Sequence, residues 1–133
     1  MNVLVVEDET VEMESLKRGL ITKGFGVVEA ANAIEALCRL EDQKSDIGLV
    51  LTDYCMRGMN GISLLKIIRT HYTHLPVILM TACEDKKETV DALCDPRNGF
   101  LLKPFSLAEL LQEIEKVSSY RILTPSSPLR VYN

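Results

Sequence analysis

At 133 residues the chain has the length of one ordinary domain and is too short for two comfortable ones. A 47% hydrophobic fraction is enough to fill a core, since folding at this length buries roughly two-thirds of the unfolded surface. The net charge of −4 and pI near 5.2 exclude a broad basic face for nucleic acid or anionic lipid, and the basic pairs Lys17-Arg18 and Lys86-Lys87 read as solvated helix faces.

The longest uncharged apolar stretch, His74 to Cys83, is broken by Pro76, whereas a bilayer crossing needs about 20 apolar residues. No membrane span is expected. Glu7-Asp8-Glu9 follow Met1 too closely for an export signal, so a cytoplasmic location is expected. Cys38, Cys55, Cys83 and Cys94 lack metal-type C-x-x-C spacing, and buried free thiols are expected rather than disulfides, with Cys38 and Cys94 in the core.

Short β-branched runs alternate with helical patterns along the chain. Asn2–Val6 is apolar nearly throughout, as a strand covered on both faces should be. Thr10 to about Lys23 reads as a helix with Met13, Leu16 and Leu20 inward and Gly24 as its stop. A weak strand follows at Val27–Glu29. Asn32 with Glu35 opens a second helix carrying Ile34, Leu37, Cys38 and Leu40. Gly48–Thr52 is a third strand that runs into Asp53. After the Gly-rich turn Arg57–Gly61, residues Ile62 to about His71 form a third helix.

Pro76 precedes a fourth strand, Val77–Thr81. A polar helix over about 85–93 is closed by Pro96 and Gly99, and Phe100–Lys103 is a fifth strand. Ser106 with Glu109 makes a capping box before Leu107, Leu110, Leu111, Ile114 and Val117. Residues 1–117 are expected to form the domain. Residues 118–133, with Pro125, Pro128 and four serines, read as an extended tail or linker. Five βα units with short connections imply an α/β fold, a parallel sheet with helices on both faces.

In such sheets ligands sit beyond the carboxyl ends of the strands. The first strand delivers Glu7 and Asp8 there, the third Asp53, the fourth Thr81 and the fifth Lys103. Three clustered carboxylates resist ionising unless a cation compensates, and a hard dication such as Mg²⁺ suits oxygen donors of this kind. An acidic metal cup with a spare ammonium, a hydroxyl and one carboxylate placed as nucleophile fits phosphoryl transfer. It does not fit amide or ester hydrolysis, because no His or Ser general-base pair is in view at these strand ends.

The segments Val-Val-Glu7-Asp8-Glu, Leu-Thr-Asp53, Met59-Asn60-Gly61, Met80-Thr81-Ala82 and Lys103-Pro104-Phe105 together resemble response-regulator receiver domains, including the single-domain chemotaxis type. The resemblance spans about residues 2 to 117. It implies a doubly wound, flavodoxin-like sheet of five strands in the order 2-1-3-4-5. It implies that Asp53 takes a phosphoryl group from a sensor histidine kinase or phosphotransfer protein. Asp8, Asp53 and the backbone carbonyl of Cys55 would hold Mg²⁺ (Mn²⁺ as a substitute), with Glu7 acting through water. Thr81, the Ala82 amide and Lys103 would meet the phosphoryl oxygens, and Thr81 with Phe100 would form the switch. The Lys103-Pro104 bond is commonly cis in relatives.

The output would be the surface of the fourth helix, fifth strand and fifth helix, offered to an effector that the sequence does not name or to a second phosphorylated copy as a dimer. Such a chain is a signalling module, not a turnover enzyme. Arg57 stands where relatives usually have Pro, and Asn60 where they often have Asp. Cys55 and Cys83 would flank the phosphoryl group, and two thiols orient an attacking water poorly, so slow self-dephosphorylation is expected. His71 and His74 lie away from this site. Two other readings stay open. One is a receiver fragment of a hybrid kinase or DNA-binding regulator, with no nucleic-acid contact by this chain itself. The other is a phosphatase of the haloacid-dehalogenase type, against which Cys55 stands in place of the second Asp of Asp-x-Asp.

Overall fold

The computed structural model describes residues 1–42, 46–82, 91 and 95–123, with side chains to 119. Five parallel strands lie in the order β2-β1-β3-β4-β5: β1 (Asn2–Val6), β2 (Gly26–Ala30), β3 (Ile47–Asp53), β4 (Val77–Thr81) and β5 (Asn98–Leu102). The helices described are α1 (Thr10–Thr22), α2 (Ala33–Glu41), α3 (Gly61–His71) and a C-terminal helix (Leu107–Leu123). This is the expected doubly wound α/β sheet in the expected order. The polar helix expected over 85–93 lies outside the described residues apart from Asp91, which is helical.

Alternation along the strands sends successive side chains to opposite faces. Leu4, Val6, Val50 and Leu79 pack with Ala33 and Ala36 of α2 and Leu64, Leu65 and Ile68 of α3. Val3, Val5, Leu49, Leu51, Ile78 and Met80 pack on the other face with Met13 and Leu20 of α1 and Leu110, Ile114 and Val117 of the C-terminal helix. Both faces are covered, which is why these strands read as unbroken apolar runs. Among the described residues no helix is long and apolar enough to cross a membrane.

Local signals set the helix ends. Gly24, at φ +93°, takes the left-handed conformation that closes α1. The Asn32 side chain accepts from the Glu35 amide at 2.9 Å, and the Glu35 carboxylate accepts from the Ala31 amide at 3.0 Å. Ser106 and Glu109 bond reciprocally, the Ser106 amide donating to Glu109 Oε1 at 3.0 Å and the Glu109 amide to Ser106 Oγ at 3.1 Å. The Lys103-Pro104 peptide is cis.

Several expectations need correction. Ile34 is 71% exposed and Cys38 is exposed, because α2 turns its small residues Ala33 and Ala36 to the sheet. The fifth strand begins at Asn98, so Gly99 lies inside it rather than closing a helix. A Cβ there would stand 2.9 Å from Glu113 Oε2 and 3.0 Å from both Ile78 and Val117, so the close approach of the C-terminal helix demands glycine. That helix continues to Leu123, and residues 118–123 are helical rather than an extended tail. The expected tail beyond them lies outside the described residues.

The turn after β3 is closed tightly against the backbone of β3. Asn60 caps α3, its side chain accepting from the Ser63 amide at 2.9 Å, and the Gly61 amide donates to the Tyr54 carbonyl at 2.8 Å. A Cβ on Gly61 would strike the Asp53 carbonyl oxygen and come within 2.8 Å of Leu79 and 3.0 Å of the Tyr54 Cα. Backbone gives way less easily than a side-chain tip. Gly61→Ala is therefore expected to cost about 1–3 kcal/mol and Asn60→Ala about 1 kcal/mol, measured by urea unfolding; a Gly61→Ala protein as stable as the parent would contradict this packing.

Candidate functional site

Parallel register brings the strand ends level. Val6 pairs with Thr52, so Glu7 emerges beside Asp53. Asp53 pairs with Met80, and Thr81 with Leu102, which places Thr81 and Lys103 at the same rim. The Lys103 amide donates to the Thr81 carbonyl at 2.8 Å and the Tyr54 amide to the Met80 carbonyl at 2.7 Å, so the rim is held by backbone bonds. The rim lies where β1 and β3 are neighbours and the strand order reverses, the usual crevice of an open α/β sheet.

Carboxylate oxygens of Glu7, Asp8 and Asp53 all lie within 4.8 Å of one another. Glu7 and Asp53 are buried, at 2% and 6% exposure, and Asp8 is exposed. Lys103 Nζ is 3.1 Å from Asp53 Oδ1, 3.1 Å from Glu12 Oε1 and 3.8 Å from Glu7 Oε1. Burial pushes the Glu7 carboxyl up to about 7, against a hydrogen bond from the Glu9 amide, and the Asp53 charge adds to the rise. Burial likewise raises Asp53 above the usual carboxylate range, although the Lys103 ammonium and the Cys55 amide work to lower it. Burial opposes the Lys103 charge, yet Asp53 and Glu12 hold that ammonium above its ordinary value.

The donor set suits a hard cation. Glu7 Oε1 is buried without a hydrogen-bond partner, while Oε2 accepts from the Glu9 amide at 3.1 Å. A buried carboxylate oxygen with no hydrogen-bond donor, beside two further carboxylates, is what a divalent ion and its waters would satisfy. Asp8, Asp53 and Glu7 are the side chains placed to do so.

The other expected residues fall as follows. Thr81 is buried at the end of β4, and Ala82 follows it, exposed, at the rim. Phe100 is half-buried in β5, and its amide donates to Glu113 Oε2 at 2.9 Å. Cys55 is free but exposed, because it sits in the turn beyond the sheet, which corrects the expectation of a buried thiol. Arg57 is exposed and lines an open groove with Asp8, Ile34, Glu35 and Met59. Cys83 and Cys94 lie outside the described residues. Glu12 was not anticipated. Its position four residues after Asp8, in the first turn of α1, is the sequence signal that could have found it.

Comparison with known proteins decides the family, because the family model described as the response regulator receiver domain matches residues 3–115. The chain belongs to that family. It is 36% identical over 120 residues to chemotaxis protein CheY-3 of Vibrio cholerae serotype O1, covering 88% of this chain and 91% of the relative. It is 38% identical over 114 residues to response regulator protein FleR of Pseudomonas aeruginosa, covering 86% of this chain but 24% of that one. The crystal structure of a response regulator receiver protein from Pseudomonas putida superposes with a TM-score of 0.77 at 37% identity, covering 86% of this chain and 95% of that one. This receiver domain is thus a module of two-component signalling, and receiver domains bind Mg²⁺ through an acidic cluster of the kind found here.

The Glu7 carboxyl supplies a test of the cluster's electrostatics. An unfolded chain loses that proton near 4.5 and the folded, metal-free protein near 7, so across this window the native state holds the extra proton. Stability due to Glu7 is fully present below about 4.5 and is lost as pH rises through about 7, by up to about 3 kcal/mol. Urea unfolding in a chelator should show the parent losing stability relative to Glu7→Gln across that window. A constant difference between the two proteins would contradict the burial argument.

Proposed function

We propose that this receiver takes a phosphoryl group onto Asp53 from the phosphohistidine of a sensor kinase or phosphotransfer protein and passes the change to an effector. The observation that carries the reading is the buried Asp53 carboxylate, 3.1 Å from the Lys103 ammonium and within 4.8 Å of the oxygens of Glu7 and Asp8. An Asp53 oxygen attacks phosphorus, the phosphorus–nitrogen bond breaks, and the histidine leaves with its electron pair and takes up a proton. Mg²⁺ (or Mn²⁺), held by Asp8, Asp53 and the Cys55 backbone carbonyl with Glu7 through water, would neutralise charge on the phosphoryl oxygens.

The chain's own groups do the rest. Lys103 pairs with a phosphoryl oxygen, and the Thr81 hydroxyl and Ala82 amide donate to others. Drawing Thr81 toward the phosphoryl group vacates space beside β5, into which Phe100 turns; a phenyl ring buries there without stranding a hydroxyl. The change reaches the surface of β5, the C-terminal helix and the expected helix over 85–93, where an effector or a second phosphorylated copy would bind. Cys55 and Cys83 offer only weak acceptors to an attacking water, so the acyl phosphate should be long-lived.

The match to a quarter of FleR favours a second arrangement, in which the same receiver works inside a longer regulator. The site chemistry would be unchanged.

Incubation with Mg²⁺ and acetyl phosphate, followed by intact mass measurement, tests the reading. The parent should gain one phosphoryl group, and Asp53→Asn none. The phosphorylated parent should persist for minutes or longer after the donor is removed. An unmodified parent, or a mutant that gains the same mass, would overturn the assignment of Asp53. Loss within seconds would overturn the role given to the cysteines.

A further inference from the structure

Glu12 stands outside the strand ends, yet it holds the ammonium that the phosphoryl group needs. Its Oε1 is 3.1 Å from Lys103 Nζ, the same distance as Asp53 Oδ1. The contact joins residues 91 positions apart, from the first turn of α1 to the residue after β5. Glu7, Glu12 and Asp53 share this ammonium, and Asp8 joins Glu7 and Asp53 around whatever dication binds, so four carboxylates meet two sources of positive charge. One ammonium and one dication leave four ionised carboxylates a charge short of neutrality. Without Glu12 the count would balance.

We infer that Glu12 is a positioning residue that competes with the phosphoryl group for Lys103 and so sets how readily Asp53 accepts an anionic donor. The inference rests on the function proposed above. Before transfer, Glu12 splits the Lys103 charge between α1 and Asp53 and adds its own repulsion to an approaching anion. After transfer, the phosphoryl oxygens carry more charge than the carboxylate they replace, and Lys103 leaves Glu12 for them. The release is easy because the Glu12 side chain is 47% exposed and turns to water, whereas Glu7, fully buried, has no such exit. A cleft charge of the donor's own sign lowers encounter as well as stabilisation, and both effects weaken with salt.

Donor charge separates this role from a structural one. Acetyl phosphate is a dianion at neutral pH, while phosphoramidate, with its nitrogen protonated, carries one net negative charge. With Mg²⁺ present, Glu12→Gln should raise the second-order rate of phosphorylation by acetyl phosphate about three- to tenfold. The gain should be smaller for phosphoramidate and shrink at high salt. Glu12→Asp, one methylene too short to keep the contact, should fall between parent and Glu12→Gln, because it retains the charge but frees Lys103. Beryllofluoride, followed by fluorine NMR, should bind Glu12→Gln more tightly than the parent, which reads the competition without turnover. Equal effects on both donors, or a rate and beryllofluoride affinity unchanged or reduced in Glu12→Gln, would overturn the inference. A parent that accepts no phosphoryl group would instead overturn the proposed function.

Discussion

The structure is organised around a repulsion that it does not itself relieve. Glu7 and Asp53 are taken out of water beside Asp8, and among the described residues Lys103 is the cation placed against them. Carboxylates in low dielectric with one shared ammonium are costly, and a protein that keeps them must recover the cost from a ligand. The raised Glu7 and Asp53 carboxyls record that strain. A dication and then a phosphoryl group are the natural successive ligands of such a site, since one supplies positive charge and the other uses it.

The frame explains why the cluster does not fly apart. The acidic residues stand at the ends of β1 and β3, neighbouring parallel strands fixed in register by backbone bonds and sealed on both faces by apolar layers. Gly61 allows the α3 turn to close directly onto the Asp53 backbone, and the Thr81 carbonyl ties down the Lys103 backbone. Repulsion among side-chain tips must then be borne by their protonation states, not by movement of the main chain. Glu12 differs from the buried Glu7 and Asp53 in being free to swing to solvent, which makes it an adjustable partner of Lys103.

Much of this was legible in the sequence because parallel strands buried on both faces read as apolar runs, and the polar residues at the carboxyl end of each run, Thr52-Asp53 at the third, mark the functional rim. Glu7, Asp53, Thr81 and Lys103 follow from that rule. What it missed depends on how elements face each other. The Glu12–Lys103 contact needs the placement of α1 over the end of β5. In α2 the inward stripe has Ala33 and Ala36 at its centre with Leu37 and Leu40 packed beside them, as expected for the two leucines, while Ile34 and Cys38 misled the reading. Asn98-Gly99 has the composition of a turn, and only the packing of Glu113 and Val117 shows why a strand accepts it. Ser118 and Ser119 suggested an ending where the helix continues to Leu123, because tertiary packing of Ile114 and Val117 carries it past weak formers.

Magnesium titration followed by amide NMR tests the central claim most directly. The account predicts shifts concentrated at residues 7–9, 53–55 and 103, saturating as a single site, and largely lost in Asp8→Asn. Shifts that are absent, scattered over the surface, or unchanged by Asp8→Asn would mean that the crowded carboxylates are not a metal cup, and the chemistry assigned to Asp53 would lose its basis.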